Sequence, residues 1–141
     1  MKIDLVADQG KRNEDTYIIG KNIFGVFDGA NSINRFYDKN GVSGGLIAPT
    51  IAKDEFAKNK GSLKDIAINA NRKIRERMIE EKIDISQKIN LWCTTAAVVR
   101  VKGKAFEWLH VSDSLILIIF KDNSFKLLSS DYDHDLPVMR L

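Results

Sequence analysis

The sequence predicts an α+β domain in which helices pack on antiparallel sheet. Three observations carry this. Short runs rich in β-branched and aromatic residues alternate with turn formers, beginning with Thr16–Ile19 and Ile23–Phe27 around Gly20-Lys21-Asn22. Residues 62–83 repeat apolar side chains at helical spacing. The later apolar runs follow one another across short turns, so successive strands run antiparallel. With 141 residues the chain is long enough for one domain with a sizeable core.

Residues 3–7 form the first short apolar run and are expected to be a strand, followed by a polar loop through Arg12. The hairpin around Lys21 comes next and ends at Asp28-Gly29. Residues 30–40 lack periodicity and hold the turn formers Asn31, Ser32, Asn34 and Asp38, with Phe36 and Tyr37 expected to pin the loop to the surface. A helix is expected over 41–58 from the spacing of Val42, Leu46, Ile47, Ile51 and Phe56. Pro49 either kinks it or moves its start to Ala48. Small residues at Ser43, Gly44, Gly45 and Ala48 suit close packing on a sheet. The same GVSGG stretch lacks the Lys-Ser/Thr pair of a nucleotide phosphate loop.

The second helix is capped by Ser62 with Asp65 three residues on. Leu63, Ile66, Ala67, Ala70, Ile74 and Met78 share one stripe, opposite Arg72, Lys73, Glu76, Arg77, Glu80 and Glu81. Residues 84–90 read as a loop. Strands are then expected over 93–101, 105–111, 115–120 and 125–128, with turns at 102–104, 112–114 and 121–124. The unbroken apolarity of 115–120 points to a strand covered on both faces.

Composition narrows the function classes. Lys and Arg number 22 and Asp and Glu 19, a formal charge of +3, and the basic residues are dispersed rather than gathered with aromatics. That pattern argues against nucleic acid as a partner. The denser group Arg72, Lys73, Arg75 and Arg77 falls on the solvated helix face. No run approaches the roughly 18 apolar residues of a membrane span, and the N-terminus lacks a signal-peptide apolar core. The single cysteine, Cys93, fits a reducing, cytoplasmic setting and is expected to be a small core residue of a β-like stretch with no catalytic role.

The hairpin carries the chemistry. Folded about Lys21, it places Glu14 opposite Asp28 to within one residue of register. Directly opposed residues have Cβ atoms roughly 5 Å apart, and like charges there repel. A divalent cation with oxygen ligands relieves that repulsion. The bland alternative is two solvated hairpin ends with a turn-forming Asp-Gly.

The blocks NED, FGVFDG, TTAAVV, VSDSLILII and SSDYDHD occur in that order. Together they resemble the N-terminal portion of the type 2C, metal-dependent (PPM-type) Ser/Thr protein phosphatases, over most of the chain. The resemblance implies a four-layer α-β-β-α sandwich of antiparallel sheets around two Mg²⁺ or Mn²⁺ ions that activate water for attack on a phosphomonoester. It implies that Glu14 ligates one metal, that Asp28 bridges both, and that the Gly29 carbonyl is a further ligand. Asp15 takes a supporting place. Asp113 is either an additional ligand or a turn former, and Asp133-His134 matches a structural motif. The implied partner is a phosphorylated protein.

The chain also departs from the family pattern. The family's phosphate-binding arginine falls at Gly10, which leaves Arg12 as the candidate phosphate ligand, with Lys11 second. The motif DGHGG or DGMGG becomes Asp28-Gly29-Ala30-Asn31-Ser32, and Leu115 replaces the arginine after Asp113-Ser114. The family's later metal-binding aspartates have no counterpart, since no acidic side chain follows Asp135. The expectation is one phosphatase-like domain over 1–141, truncated at its C-terminus. Two function classes remain: a metal-dependent phosphoprotein phosphatase, and a non-catalytic binding domain of the same fold with an incomplete metal site.

Overall fold

The computed structural model of the chain describes residues 2–7 and 13–129. The α+β expectation holds. Strands β1 (Thr16–Ile19) and β2 (Ile23–Phe27) form the hairpin, and a two-residue strand β3 (Gly29–Ala30) follows. Helices α1 (Gly44–Ala57) and α2 (Leu63–Glu80) come next, then a short 3₁₀ turn at Lys88–Asn90. Strands β4 (Cys93–Thr94), β5 (Ala96–Lys102), β6 (Ala105–Val111), β7 (Leu117–Ile119) and β8 (Phe125–Leu127) complete the order. A four-stranded antiparallel sheet runs β1-β2-β5-β6, and β3-β4 and β7-β8 form two separate pairs.

The register explains which face is the core. Ile18 pairs with Gly25, Gly25 with Val98, and Val98 with Leu109, so these residues share one face. Both helices cover that face. Ile18, Ile23, Phe27, Ala96 and Val98 from the sheet meet Ala52 and Phe56 of α1 and Leu63, Ile66 and Ala70 of α2. Phe27 and Phe56 are each 1% exposed, with ring centroids 5.5 Å apart. A second cluster joins Ala48, Ile74 and Met78 to Trp92 under the loop that precedes α1. The α2 stripe is the one the spacing predicts.

The α1–α2 turn is fastened to the far end of the sheet by Arg100. Its side chain is almost fully buried, and such a charge must be paired and hydrogen-bonded. It pairs with Glu107 across β5 and β6 and donates to Asn59 Oδ1 at 3.0 Å and to the Gly61 carbonyl at 2.9 Å. Asn59 and Gly61 take positive φ of 53° and 87°, and Asn59 also donates to Asn22 Oδ1 at 2.8 Å. This knot sits at the hairpin-turn end of the sheet, opposite the acidic end.

Several expectations are corrected. Residues 3–7 form no strand: Ile3, Leu5 and Val6 are exposed, and Ile3 and Leu5 lie along a groove on the outer face of the sheet. The run 93–101 is two strands, because Thr95 donates its N–H to the Asp28 carbonyl at 2.8 Å where the chain changes partner from β3 to β2. The 112–114 turn does not close a hairpin. Ser112 has φ of 67°, and the chain leaves the first sheet to pair β7 with β8 alone. The predicted strand 115–120 shrinks to Leu117–Ile119, and Leu117 and Ile119 are 54% and 68% exposed rather than covered on both faces. Pro49 lies inside α1, which starts at Gly44 behind an N-cap at Ser43.

Phe56→Ala should remove about 3–5 kcal/mol of stability in chemical denaturation, because the site is walled by both sheet and α2 and cannot collapse easily.

Candidate metal centre

The site forms where β1 begins and β2 ends. Thr16 pairs with Phe27, so the next step outward sets Asp15 opposite Asp28. The hairpin reading was open to one residue of register, and the structure resolves it in favour of Asp15. The Asp15 carboxyl stands near enough to that of Asp28 to raise its pKa. Desolvation raises the pKa of Asp28 first, and the Asp15 carboxyl and the charges of Asp113 and Glu14 raise it further.

The Asp28 backbone is fixed. Its N–H donates to Thr95 Oγ1 at 3.2 Å and its carbonyl accepts from Thr95 N–H at 2.8 Å. The Thr95 hydroxyl also meets the Ser114 hydroxyl, which ties the turn carrying Asp113 to the start of β5. Asp15, Asp28 and Ser114 line one pocket of about 310 Å³. Cys93 stands near this end, where desolvation and the charges of Asp28 and Asp113 push its thiol up. Cys93 is exposed rather than the small core residue expected, because it lies in the two-residue β3–β4 pair outside the main sheet.

Glu14 has a different seat. Its Oε1 accepts a short hydrogen bond from the Ser43 hydroxyl, and that hydroxyl accepts from Leu46 N–H at 3.1 Å as the α1 N-cap. Its Oε2 lies over Gly45, where a Cβ would stand only 2.3 Å from it. The first turn of α1 has no acidic residue of its own, so Glu14 supplies negative charge to that helix N-terminus.

Gly29 is buried opposite Thr94 in β3. A Cβ there would fall 1.8 Å from the Gly45 carbonyl oxygen and 2.7 Å from Pro49 Cγ. Pro49 has no N–H to offer that carbonyl within the helix. The helix therefore presents a carbonyl lacking its i+4 donor where the Gly29 backbone comes close.

The predicted site residues thus divide. Asp15 stands opposite Asp28, Asp15, Asp113 and Glu14 act on Asp28 by charge, and Gly29 is locked beside it. Among the described residues, no three Asp, Glu, His or Cys side chains converge on one cation position. The donor chemistry nevertheless fits Mg²⁺ or Mn²⁺: hard carboxylate oxygens gathered at one end of the sheet. Arg12, Lys11, Gly10 and Asp133-His134 lie outside the described residues. Ser43 read only as a small packing residue, and Thr95 and Ser114 fell within the blocks TTAAVV and VSDSLILII without a role of their own.

Two outcomes are expected. The folded-state pKa of Asp28 is raised, so the stability its protonated form contributes is full below the ordinary value of 3.8 and is lost as pH rises through the raised value. Metal-free Asp28→Asn should therefore melt above the wild type at pH 7, with the gap closing below pH 3.8 in thermal scans. Gly29→Ala should cost about 1–3 kcal/mol or more in urea unfolding, since backbone rather than a flexible side chain blocks the new methyl.

No family model and no curated protein matches the chain. Solved structures do. The Mycobacterium tuberculosis serine/threonine phosphatase PstP/Ppp superposes with a TM-score of 0.64 at 15% identity, over 94% of this chain and 55% of that one. The PstP catalytic domain in complex with two manganese ions gives 0.62 at 17% identity, over 94% and 56%. Stp1 from Staphylococcus aureus gives 0.61 at 16% identity, over 95% and 56%. The chain spans a little over half the length of the phosphatases it matches. Its fold is that of the corresponding part of a PPM-type Ser/Thr phosphatase.

Proposed function

We propose that this chain carries part of the metal site of a metal-dependent phosphomonoester hydrolase acting on phosphorylated serine or threonine of proteins. The observation that carries the reading is the Asp15–Asp28 carboxyl pair, pinned by Thr95 at the end of the sheet in a Ser/Thr phosphatase fold. Asp28 and Asp15 would hold the cation, and Asp113 would add charge from the tethered turn. A bound Mg²⁺ or Mn²⁺ would neutralise phosphoryl charge and acidify water for in-line attack. The protein's own part is to hold these carboxylates on rigid strand ends and to keep Glu14 fixed on the α1 N-terminus. The single cysteine favours a cytoplasmic setting.

A second reading is favoured by one observation: no three ligand side chains converge among the described residues. On that reading the chain is a phosphatase-like module that binds a partner or a phosphorylated ligand without turnover. Mn²⁺-dependent hydrolysis of p-nitrophenyl phosphate by the 141-residue chain separates the two. The hydrolase reading expects activity that Asp28→Asn lowers by about a hundredfold or more, the scale of losing a group that stabilises transition-state charge. Activity indifferent to Asp28→Asn, or none with Mn²⁺ or Mg²⁺, would sink it.

A further inference from the structure

The acidic pair does not stand alone on its face of the sheet. Side chains alternate along a strand, and Ile18 and Phe27 point to the helices. Tyr17 and Ile19 of β1, with Phe24 and Val26 of β2, therefore share the opposite face, and one further step of alternation puts Asp15 and Asp28 there too. Tyr17 pairs with Val26, and Ile19 with Phe24. The carboxylate rung is thus followed by two apolar rungs, each about 7 Å further along the strands, which is the repeat of two extended residues.

The same succession appears in the surface. Asp15, Asp28 and Ser114 line their pocket of about 310 Å³ together with Tyr17, Val26 and Leu5. Those last three also line the groove of about 470 Å³ on the outer face, so pocket and groove are continuous. The groove runs on over Ile19, Phe24 and Val99. Tyr17 and Val26 are each 48% exposed and open to a ligand. Among the described residues that line the pocket and the groove, Lys2 is the one cation, and it is paired with Asp4 at 3.1 Å. An acidic side chain laid in the groove would find no free partner, whereas an apolar one would leave water for an apolar floor.

We propose that the substrate of this site is an extended phosphopeptide with a large apolar side chain two residues from the phosphorylated serine or threonine, seated on the Tyr17–Val26 rung. This names the substrate class of the hydrolase reading and rests on it. With the phosphoryl group at the Asp15–Asp28 end, the next side chain of an extended peptide points away from the sheet. The one after it returns to the face one rung along, over Tyr17 and Val26.

The test measures Mn²⁺-dependent kcat/KM on phosphoserine peptides that are otherwise alanine except for one leucine, one or two residues to either side of the phosphoserine. The reference substrate is p-nitrophenyl phosphate. Leucine at one of the two second positions should raise kcat/KM over the alanine peptide by about tenfold, the scale of burying an apolar side chain, and glutamate there should give no gain. Val26→Thr and Tyr17→Thr keep β-branched strand formers and should bring the ratio of leucine to alanine peptide near one. Phe106→Thr, on the same face but outside the groove, should keep the wild-type ratio. No gain at either second position, a gain at an adjacent position instead, or a gain that survives in both groove variants overturns the proposal. Hydrolysis of p-nitrophenyl phosphate in that case leaves the hydrolase reading standing. If the wild type hydrolyses nothing, that reading fails and calorimetric titration of the same peptides with Mn²⁺ present still decides. Tighter binding of a second-position leucine peptide, lost in Val26→Thr, supports a phosphopeptide groove; equal binding of all peptides, or none, removes it.

Discussion

The seat of Gly29 on the N-terminal turn of α1 is the contact on which the rest of the site depends. Only a residue without a Cβ lets β3 approach the Gly45 carbonyl, and only a helix with proline at position 49 leaves that carbonyl without an intrahelical donor. The approach brings the α1 N-terminus against the open end of the hairpin. Glu14 then finds the Ser43 hydroxyl, and the loop after β3 passes close enough for its Asn31 N–H to stand over Gly45. The acidic hairpin end, the α1 N-terminus and the loop after β3 thus meet around that contact.

The acidic end carries an electrostatic cost that the fold does not relieve among the described residues. Asp15 and Asp28 face each other as like charges, and Asp113 and Glu14 add further negative charge. The rest of the fold absorbs the cost through rigidity. Thr95 bonds both backbone groups of Asp28, and the Arg100 knot with Glu107, Asn59 and Gly61 anchors the opposite end of the same sheet. Crowded carboxylates on an immobile frame are what a divalent cation binds well, because the repulsion is relieved on binding and little is left to order.

The hairpin, the α2 stripe and the α+β class were legible because each is a local pattern: β-branched runs around Gly20-Lys21-Asn22, and Leu63, Ile66, Ala70, Ile74 and Met78 on one helix face. The acidic end of the hairpin was legible to within one residue of register. Strand pairing has a period of two, so a turn whose length is uncertain by one decides between Glu14 and Asp15 as the partner of Asp28. What failed was what tertiary context decides. Residues 115–120 are as apolar as a buried strand, yet only three pair, because the chain turns away from the first sheet at Ser112. The order of the 30–40 loop was invisible because the loop has no periodicity; it comes from Asn31, Asn34 and Phe36 bonding across the fold.

The central claim is that a divalent cation binds at the Asp15–Asp28 end of the sheet. Paramagnetic broadening by Mn²⁺ in amide NMR spectra of the chain locates the ion without relying on turnover. Sub-stoichiometric Mn²⁺ should erase the signals of Asp15, Asp28, Gly29, Thr95 and Asp113 first and spare Asn59, Gly61 and Arg100 at the other end. Broadening centred elsewhere, or none until Mn²⁺ is in large excess, would contradict it.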